Sequence, residues 1–231
     1  MVVTACDGLD GTKDGLIADP FACSRQPRSI ECAPGQTSTA ASFCLTAEQV
    51  STVTKLYRGP ADSHGRLLYP GWHGLADPAI SPVGTIAYYQ AVQNFMGGAA
   101  RTSDFARLFM LPGVGHCGGG DGPDSFNGLG ALVDWVEQGQ APTSLLTGKV
   151  VNGQVTQTQP VYQYPLIAVD TTGGPVTQAS SYTPQQPPVS FDANVKWAAP
   201  SAPATSRSAA GSAESGSAAL AKPARPSRHG R

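Results

Sequence analysis

The sequence predicts an α/β fold with a parallel sheet, and three observations lead to this prediction. Two helical segments, residues 45–57 and 83–95, alternate with short apolar runs. A glycine-rich loop, MLPGVGHCGGGDGPDSF (residues 110–126), follows one of these runs and precedes a third helical segment. Strand, turn, helix, strand, glycine loop and helix in succession are typical of parallel strands joined by helices.

The first two helices are predicted from capping residues and apolar spacing. In LTAEQVSTVTKLY, Thr46 is a candidate N-cap and Gln49, three residues on, is its capping-box partner. The apolar residues of this segment share one face: Val50, Val53 and Tyr57. The segment VGTIAYYQAVQNF has its own spacing for a buried face: Ile86, Val92 and either Tyr89 or Tyr88.

The remaining elements follow from shorter patterns. The run FARLFML predicts a strand that ends at Pro112, and RLLY (residues 66–69) is a second, short candidate. In DSFNGLGALVDWVEQGQAP an apolar stripe predicts a third helix with a buried face: Leu129, Leu132, Val133 and Val136. From about residue 150 the pattern weakens into short β-like pieces, GKVV and PLIAV. Beyond about residue 184 Pro, Ala, Ser and Arg dominate, which predicts a disordered tail.

Composition argues against several classes of partner. The formal net charge is −1 and only 13% of residues are charged, so neither nucleic acid nor an anionic membrane surface is expected as a partner. No apolar run approaches the length of a transmembrane helix. The residues after Met1, VVTACDGLDG, have neither a basic n-region nor an apolar h-region, so no signal peptide is expected at this start.

The five cysteines are distributed unevenly. Four of them lie in loop-like sequence near the start of the chain: Cys6, Cys23, Cys32 and Cys44. There is no C-x-x-C pair and histidine is rare, which argues against zinc. Their close spacing favours two local disulfides, Cys6–Cys23 and Cys32–Cys44, and therefore an oxidising compartment; four unrelated buried thiols are the alternative. Cys117 is left over, either as a reactive thiol or as one whose partner is missing.

The segment DGLDGTKDGLI predicts a cation site. It places Asp7, Asp10 and Asp14 close together, and carboxylates this close repel one another unless a cation lies among them. The glycines allow tight winding, and the donors are all hard oxygens, which suit Ca²⁺, although the spacing is not that of an EF-hand. A solvated turn is the alternative. Cys6 and Cys23 flank the segment and would pin it closed, which favours calcium.

His116 is a candidate general base. It follows a predicted buried strand and lies on a loop that cannot belong to the core, as a general base requires. WHGLADPAISP offers Asp77 as the acid that would orient it, and acid before base is the order of α/β-hydrolases. A hydrogen-bonded loop histidine and an ordinary Asp-Pro turn are the alternatives. The other histidines lack a comparable context: His64, His73 and His229.

Together these segments resemble the tannase and feruloyl esterase family, which also includes the hydrolase of mono(2-hydroxyethyl) terephthalate. The resemblance is carried by ACDGLDGTKDGLIADPFAC, CLTAEQVSTVTKLYRGP, GRLLYPG, HGLADPAISPVGTIAYY, FMLPGVGHCGGGDGPDSF and ALVDWVEQGQAP. It runs from about residue 4 to about residue 167. It implies the C-terminal part of an α/β-hydrolase fold, with the remnant of a calcium-binding lid domain.

The resemblance also implies roles for individual residues. Calcium would be bound by the side chains of three residues and the backbone carbonyls of two: Asp7, Asp10 and Asp14, with Thr12 and Leu16. Asp77 would be the triad acid and His116 the base. Cys117 would form a disulfide with a cysteine directly before the nucleophilic serine. The substrates would be small aromatic esters, and the enzyme would be secreted or periplasmic.

Three departures from the family limit these implications. No G-x-S-x-G elbow, which holds the family's serine upstream of the acidic segment, occurs in these residues. GRLLYPG runs directly into WHGLADP, where the family has a long remainder of the lid, and a further cysteine pair is missing near Tyr162 and Tyr182. The chain is therefore expected to be a C-terminal part with an internal deletion.

This expectation gives three regions and two functions. The regions are a disulfide-rich calcium-binding lid remnant (1–71), the C-terminal part of the hydrolase core (72–183) and the tail (184–231). Without its nucleophile the chain is expected to be inactive alone. The alternative is a non-catalytic calcium-binding remnant, or a half-protein that pairs with a separate N-terminal partner.

Overall fold

The computed structural model describes residues 2–65, 67, 68, 77 and 80–189. The predicted boundary at residue 71 and the tail beyond residue 189 lie outside the described residues. The helices are α1 (Val2–Cys6), α2 (Ala47–Arg58), α3 (Pro82–Met96), α4 (Ala99–Ser103) and α5 (Gly128–Gln138). The strands are β1 (Ser125–Phe126), β2 (Ser144–Val151), β3 (Gln154–Tyr162), β4 (Ile167–Asp170) and β5 (Tyr182–Gln185). None of the helices in these ranges has the length and apolarity to cross a membrane.

Helix α2 begins at the predicted cap. The backbone N–H of Gln49 donates to Thr46 Oγ1 at 3.3 Å, and Gln49 Oε1 accepts from the Thr46 N–H at 2.9 Å. Each bond satisfies a backbone group that the first turn of a helix leaves unpaired. Val50 is buried and Tyr57 is exposed, so the predicted face is covered near its start and open at its end. The predicted capping box is confirmed.

Helix α3 settles which tyrosine belongs to the core. Tyr89 is 7% exposed and Tyr88 is 73% exposed, and Ile86 is buried on the same face as Tyr89. The Tyr89 hydroxyl donates to the carbonyl of Ala106 at 3.2 Å, so its polar end is satisfied inside the protein. This face of α3 therefore packs toward the segment that leads into the glycine-rich loop.

Helix α5 is present where the sequence predicts it, but the prediction that its apolar stripe is buried is wrong. The four residues of the apolar stripe are between 39% and 76% exposed: Leu129, Leu132, Val133 and Val136. Asn127 caps the start of the helix through its side chain, and Gly139 ends it in the left-handed conformation. The helix is thus specified locally, while its apolar stripe faces solvent in the described part of the protein.

The predicted parallel sheet is also wrong for the described residues. Strands β1, β2 and β3 form an antiparallel sheet, and β4 and β5 form an antiparallel pair. The run FARLFML is reduced to one antiparallel bridge between Phe109 and Gln163. A second backbone bond to the same neighbouring segment runs from the N–H of Tyr164 to the carbonyl of Leu108, at 2.8 Å. Of the predicted strand RLLY, Leu67 bridges Ala61, and residues 66 and 69 lie outside the described ranges.

The N-terminal segment is held together by two disulfides. Cys6–Cys23 has a Cα–Cα distance of 5.4 Å and Cys32–Cys44 one of 4.9 Å, which are ordinary disulfide spacings. Both pairs predicted from the sequence are confirmed. Cys6 is almost completely buried, so its bond also anchors the segment that follows it to the core.

Candidate active site

The loop that carries His116 folds back on itself. The N–H of Gly115 donates to the carbonyl of Gly119 at 3.0 Å, and the N–H of Gly122 donates to the carbonyl of Gly113 at 2.9 Å. Residues 113–122 are called the histidine loop below. His116 and Cys117 lie at its tip and are exposed, and Cys117 has a φ of 61°. A non-glycine residue in this region is uncommon, so the tip is a specific conformation held by the rest of the loop.

Close backbone approach explains why the loop is rich in glycine. At Gly120, whose φ is 88°, a Cβ atom would overlap the carbonyl oxygen of Gly113. At Gly113, whose φ is 68°, a Cβ atom would meet the side chain of Leu16, which lies in the acidic segment. Any larger residue would push the two limbs of the loop apart. The glycines therefore allow the tight turn that presents His116.

The structure brings His116 and Asp77 together. Nδ1 of His116 lies 3.0 Å from Oδ2 of Asp77, although the two residues are 39 positions apart. The other carboxylate oxygen of Asp77 accepts from the N–H of Ile80 at 3.0 Å, just before helix α3 begins. Asp77 is thus held by a backbone N–H group shortly before helix α3, and His116 lies on a folded loop.

This geometry defines the chemistry that His116 can perform. A carboxylate only accepts hydrogen bonds, so the proton between the two side chains lies on Nδ1. When the ring is neutral, Nε2 carries no proton and can accept one from a neighbouring hydroxyl group. An imidazole oriented by an acid in this way has the arrangement of a general base.

No other described histidine forms such a pair. Nδ1 of His64 lies 4.0 Å from Asp62, and the His64 side chain is 77% exposed. His73 and His229 lie outside the described residues. Cys117 is a free, exposed thiol with no disulfide partner among the described cysteines. The predicted bond from Cys117 to a cysteine before the serine therefore stays a prediction.

Sequence reasoning missed two charged residues beside the histidine loop. Lys149, on β2, donates to the carbonyls of Gly120 and Gly122, at 2.6 and 3.2 Å. Asp124 accepts from the N–H of Gly119 at 2.6 Å. This bond, together with the nearby Lys149 ammonium, lowers the pKa of Asp124 below its ordinary value. The DGPDSF motif and the GKVV strand contain these residues, but neither motif indicates that they meet.

The acidic segment winds around its own backbone. Asp7 accepts from the N–H groups of Asp14 and Gly15, at 3.1 and 2.8 Å. Asp10 accepts from those of Thr12 and Ala18, at 3.1 and 2.7 Å. Residues 7–18 are called the acidic loop below. The segment therefore forms a closed, hydrogen-bonded loop rather than an extended solvated turn.

Burial makes the acidic loop electrostatically unfavourable when no cation is bound. Asp10 is only 4% exposed, and this burial raises its pKa to about 6, although the backbone bonds from Ala18 and Thr12 oppose the rise. Repulsion from Asp14 and Asp7 adds to it. Burial likewise raises the pKa of Asp14. Carboxylates that are hard to ionise in the fold are stabilised by a nearby positive charge.

The predicted calcium ligands fit a cation only if side-chain carboxylates and backbone carbonyls bind it together. No three His, Cys, Asp or Glu side chains in the described ranges converge closely enough to hold a metal ion. Thr12 and Leu16 are buried, and their carbonyls accept no hydrogen bond from any described residue. Nearby, Gln159 donates to Asp14 Oδ2 at 3.3 Å, while its own buried Oε1 has no partner in the described part of the chain. Orphaned oxygens beside buried carboxylates are suitable donors for calcium.

The histidine loop and the acidic loop both lie within the residues that a protein-family model matches. The family model described as "Tannase and feruloyl esterase" matches residues 1–74 and 61–184. A probable feruloyl esterase of Arthroderma benhamiae is 45% identical over 100 residues, which is 42% of this chain and 19% of that protein. The mono(2-hydroxyethyl) terephthalate hydrolase of Piscinibacter sakaiensis is 36% identical over 130 residues, 55% of this chain and 21% of that protein.

A solved structure shares the fold. The crystal structure of feruloyl esterase B from Aspergillus oryzae superposes with a TM-score of 0.73 at 21% identity. The match covers 80% of this chain and 55% of that one, so the chain spans about half the length of that protein. Because the family model matches most of the 231 residues, the chain belongs to the tannase and feruloyl esterase family.

Proposed function

We propose that the chain is the base-bearing part of a carboxylic ester hydrolase of the tannase and feruloyl esterase type. The observation that carries the proposal is the 3.0 Å contact between His116 Nδ1 and Asp77 Oδ2. Family membership gives the reaction class, and the names of the relatives indicate small aromatic esters such as feruloyl esters as substrates. The chain spans only about a fifth of the length of these two relatives, and the proposal takes the nucleophilic serine from outside these 231 residues.

In this proposal His116 accepts and releases one proton in each of the two halves of the reaction. Its Nε2 accepts the proton of a serine hydroxyl as the serine oxygen attacks the ester carbonyl. It then gives that proton to the departing alcohol, and an acyl-enzyme is left. Water then attacks the acyl-enzyme and gives its proton to Nε2, which passes it to the serine oxygen as the acyl–serine bond breaks and the acid leaves. Asp77 stays ionised, holds the tautomer and stabilises the imidazolium, while the serine comes from a segment with the G-x-S-x-G elbow.

The proposal is tested by comparing this chain with an extended one. Methyl ferulate and methyl gallate are supplied to the 231-residue chain and to the product of its source DNA extended upstream through any in-frame G-x-S-x-G elbow. We expect no saturable turnover from the short chain and turnover from the extended one that His116→Ala reduces at least about 10³-fold. Turnover by the extended chain that survives His116→Ala would exclude His116 as the base.

We also propose that the acidic loop binds Ca²⁺ through Asp7, Asp10 and Asp14 and the carbonyls of Thr12 and Leu16. The support is the raised pKa of Asp10 and Asp14, the two carbonyls that accept no hydrogen bond from a described residue, and the hard donor set. Calorimetric titration with Ca²⁺ should give saturable heat and a higher Tm, and both should disappear in Asp14→Asn. Absence of heat and of any thermal shift would overturn this proposal.

A second function is favoured by exposed features near the histidine loop. The Cys117 thiol is free and the apolar stripe of α5 faces solvent, as expected of a half-protein that docks on a separate N-terminal partner. Under mild oxidation, a serine-bearing partner should be captured through a disulfide by the wild type and not by Cys117→Ser. Capture that persists in Cys117→Ser would exclude this mode of docking.

The compartment is part of the same proposal. The bonds Cys6–Cys23 and Cys32–Cys44 persist best under oxidising conditions, which supports a secreted or periplasmic protein. Thiol titration of the native and denatured protein from its source should find no free thiol at four positions, Cys6, Cys23, Cys32 and Cys44. Five free thiols would contradict this assignment.

A further inference from the structure

Lys149 is attached to the histidine loop by two hydrogen bonds. Its ammonium group donates to the carbonyls of Gly120 and Gly122, and it lies 3.9 Å from Oδ1 of Asp124. Only 22% of the Lys149 side chain is exposed, so the ammonium is drawn away from water and toward the loop. Its position is therefore set by the carbonyls that it binds.

Asp124 is attached to the same half of the loop as Lys149, the limb formed by residues 119–122. Its Oδ2 accepts from the N–H of Gly119, and its Oδ1 faces Lys149. The side chain is 25% exposed. Lys149 binds the carbonyl groups of this limb and Asp124 binds an N–H group, so opposite charges hold opposite ends of the backbone dipoles.

The sheet places these two residues side by side. Ser125 on β1 pairs with Gly148 on β2, so Asp124 and Lys149 are the next facing positions in the antiparallel register. The pairing of β2 with β3 shifts register between Lys149 and Val150. Irregularities of this kind re-aim side chains at the ends of strands. The register and the shift together direct Lys149 to the loop.

Lys149 and Asp124, called the clamp below, are connected to His116 through the backbone of the histidine loop. Gly119, which Asp124 holds, accepts from Gly115, the residue directly before His116. Gly122, which Lys149 holds, donates to Gly113. Both limbs around His116 are therefore tied to a sheet, although neither charged side chain touches the imidazole.

We propose that Lys149 and Asp124 are positioning residues for His116, because they fix the histidine loop at the place where its imidazole meets Asp77. The proposal rests on the proposed function, in which His116 is the base. Without the clamp, a loop with six glycines between residues 113 and 122 would sample many conformations. The hydrogen bond between His116 and Asp77 would then form only part of the time.

The test is the tautomer of His116, read from the ¹⁵N shifts of its two ring nitrogens at alkaline pH in the full chain. His116→Gln assigns the signals. In the wild type we expect the Nδ1–H form to dominate, because Asp77 accepts from Nδ1. In Lys149→Met and in Asp124→Ala we expect the Nε2–H form, which free histidine prefers, to become the major species. Lys149→Arg, which keeps the charge and the donors, should restore the Nδ1–H form.

Matched controls separate positioning from general damage. Lys55→Met removes an exposed lysine of α2, and Asp134→Ala removes an exposed aspartate of α5; neither should change the His116 shifts. If Lys149→Met does not fold, Asp124→Ala, which leaves β2 intact, decides the question. Unchanged His116 shifts in the folded clamp variants would overturn the proposal. These shifts need no substrate, so failure of the ester assay alone would count only against the proposed function.

Discussion

The hydroxyl of Tyr182 donates a hydrogen bond to Oδ2 of Asp14 at 3.0 Å, across 168 positions of sequence. A second bond runs from the N–H of Asp170 to Thr12 Oγ1 at 2.8 Å. Together they dock the acidic loop on the β4–β5 pair. The side chain of Leu16 in this loop lies against Gly113 of the histidine loop. The candidate cation site and the candidate base are therefore mechanically connected.

Removing the Tyr182 hydroxyl should weaken this docking. Tyr182→Phe removes the single hydroxyl proton, which Asp14 Oδ2 and the Val176 carbonyl share at 3.0 and 2.7 Å. We expect the free energy of unfolding to fall by about 1–3 kcal/mol in urea denaturation. Tyr57→Phe, on the exposed end of α2, is the control and should change it by less than about 0.5 kcal/mol. Equal effects from the two substitutions would show that the Tyr182 bond does not dock the loop.

Asp10 should make the metal-free protein less stable as the pH rises. Burial raises its pKa from 3.8 to about 6, so between these values the folded state binds more protons than the unfolded state. The stabilisation present below pH 3.8 is therefore lost as the pH rises through about 6. We expect Asp10 to contribute a loss of about 3 kcal/mol across this range in the presence of a chelator.

The measurement for Asp10 is urea denaturation at a series of pH values, with Asp10→Asn as the reference. The wild type should lose stability relative to Asp10→Asn as the pH rises, and saturating Ca²⁺ should remove the difference. A wild type that gains stability relative to Asp10→Asn over this range would show that the carboxylate is stabilised in its ionised form without a cation.

Gly120→Ala should damage the histidine loop more than strain alone explains. The new Cβ would overlap the Gly113 carbonyl and would also require a φ of 88°. We expect a loss of roughly 2–4 kcal/mol in unfolding free energy. Gly153→Ala is the matched control, because Gly153 has a φ of 77° and no atom within 4 Å of its Cβ position. It should cost only about 1 kcal/mol, and a similar loss in both variants would contradict the close approach at Gly120.

Polar substitutions on the apolar stripe of α5 should be tolerated. Leu129 and Val136 are 74% and 76% exposed, so Leu129→Gln and Val136→Gln remove little buried surface. Each should change the unfolding free energy by no more than about 0.5 kcal/mol. Ile86→Ala, in the buried face of α3, should cost about 2–5 kcal/mol in the same assay. Losses of that size at Leu129 or Val136 would mean that the stripe is packed in this chain.

The elements that local sequence specifies were predicted well. The capping box at Thr46 and the two disulfides depend on residues close together in the chain, and the structure contains them. The exposed stripe of α5 shows the limit of periodicity, which identifies an apolar face but not an element that covers it. The direction of the strands could not be predicted either, because the alternation of apolar and polar residues does not distinguish parallel from antiparallel pairing.

The residues of the candidate site also fall into two groups, those that local sequence identified and those that it missed. His116 was identifiable because it lies in a glycine-rich loop directly after an apolar run, and Asp77 because it follows an apolar segment and precedes His116 in the order acid before base. Lys149 and Tyr182 were missed because their partners lie far away in sequence. The contacts of Lys149 depend on the register of β1 against β2, and no local pattern encodes that register.

The most direct measurement of the central claim is the tautomer of His116 in Asp77→Ala compared with the wild type. The ¹⁵N shifts of the imidazole at alkaline pH should report Nδ1–H in the wild type and Nε2–H in Asp77→Ala, because only the carboxylate holds the proton on Nδ1. That result would establish the oriented imidazole on which the proposed function depends. Identical shifts in the two proteins would contradict the pairing of His116 with Asp77 and the function built on it.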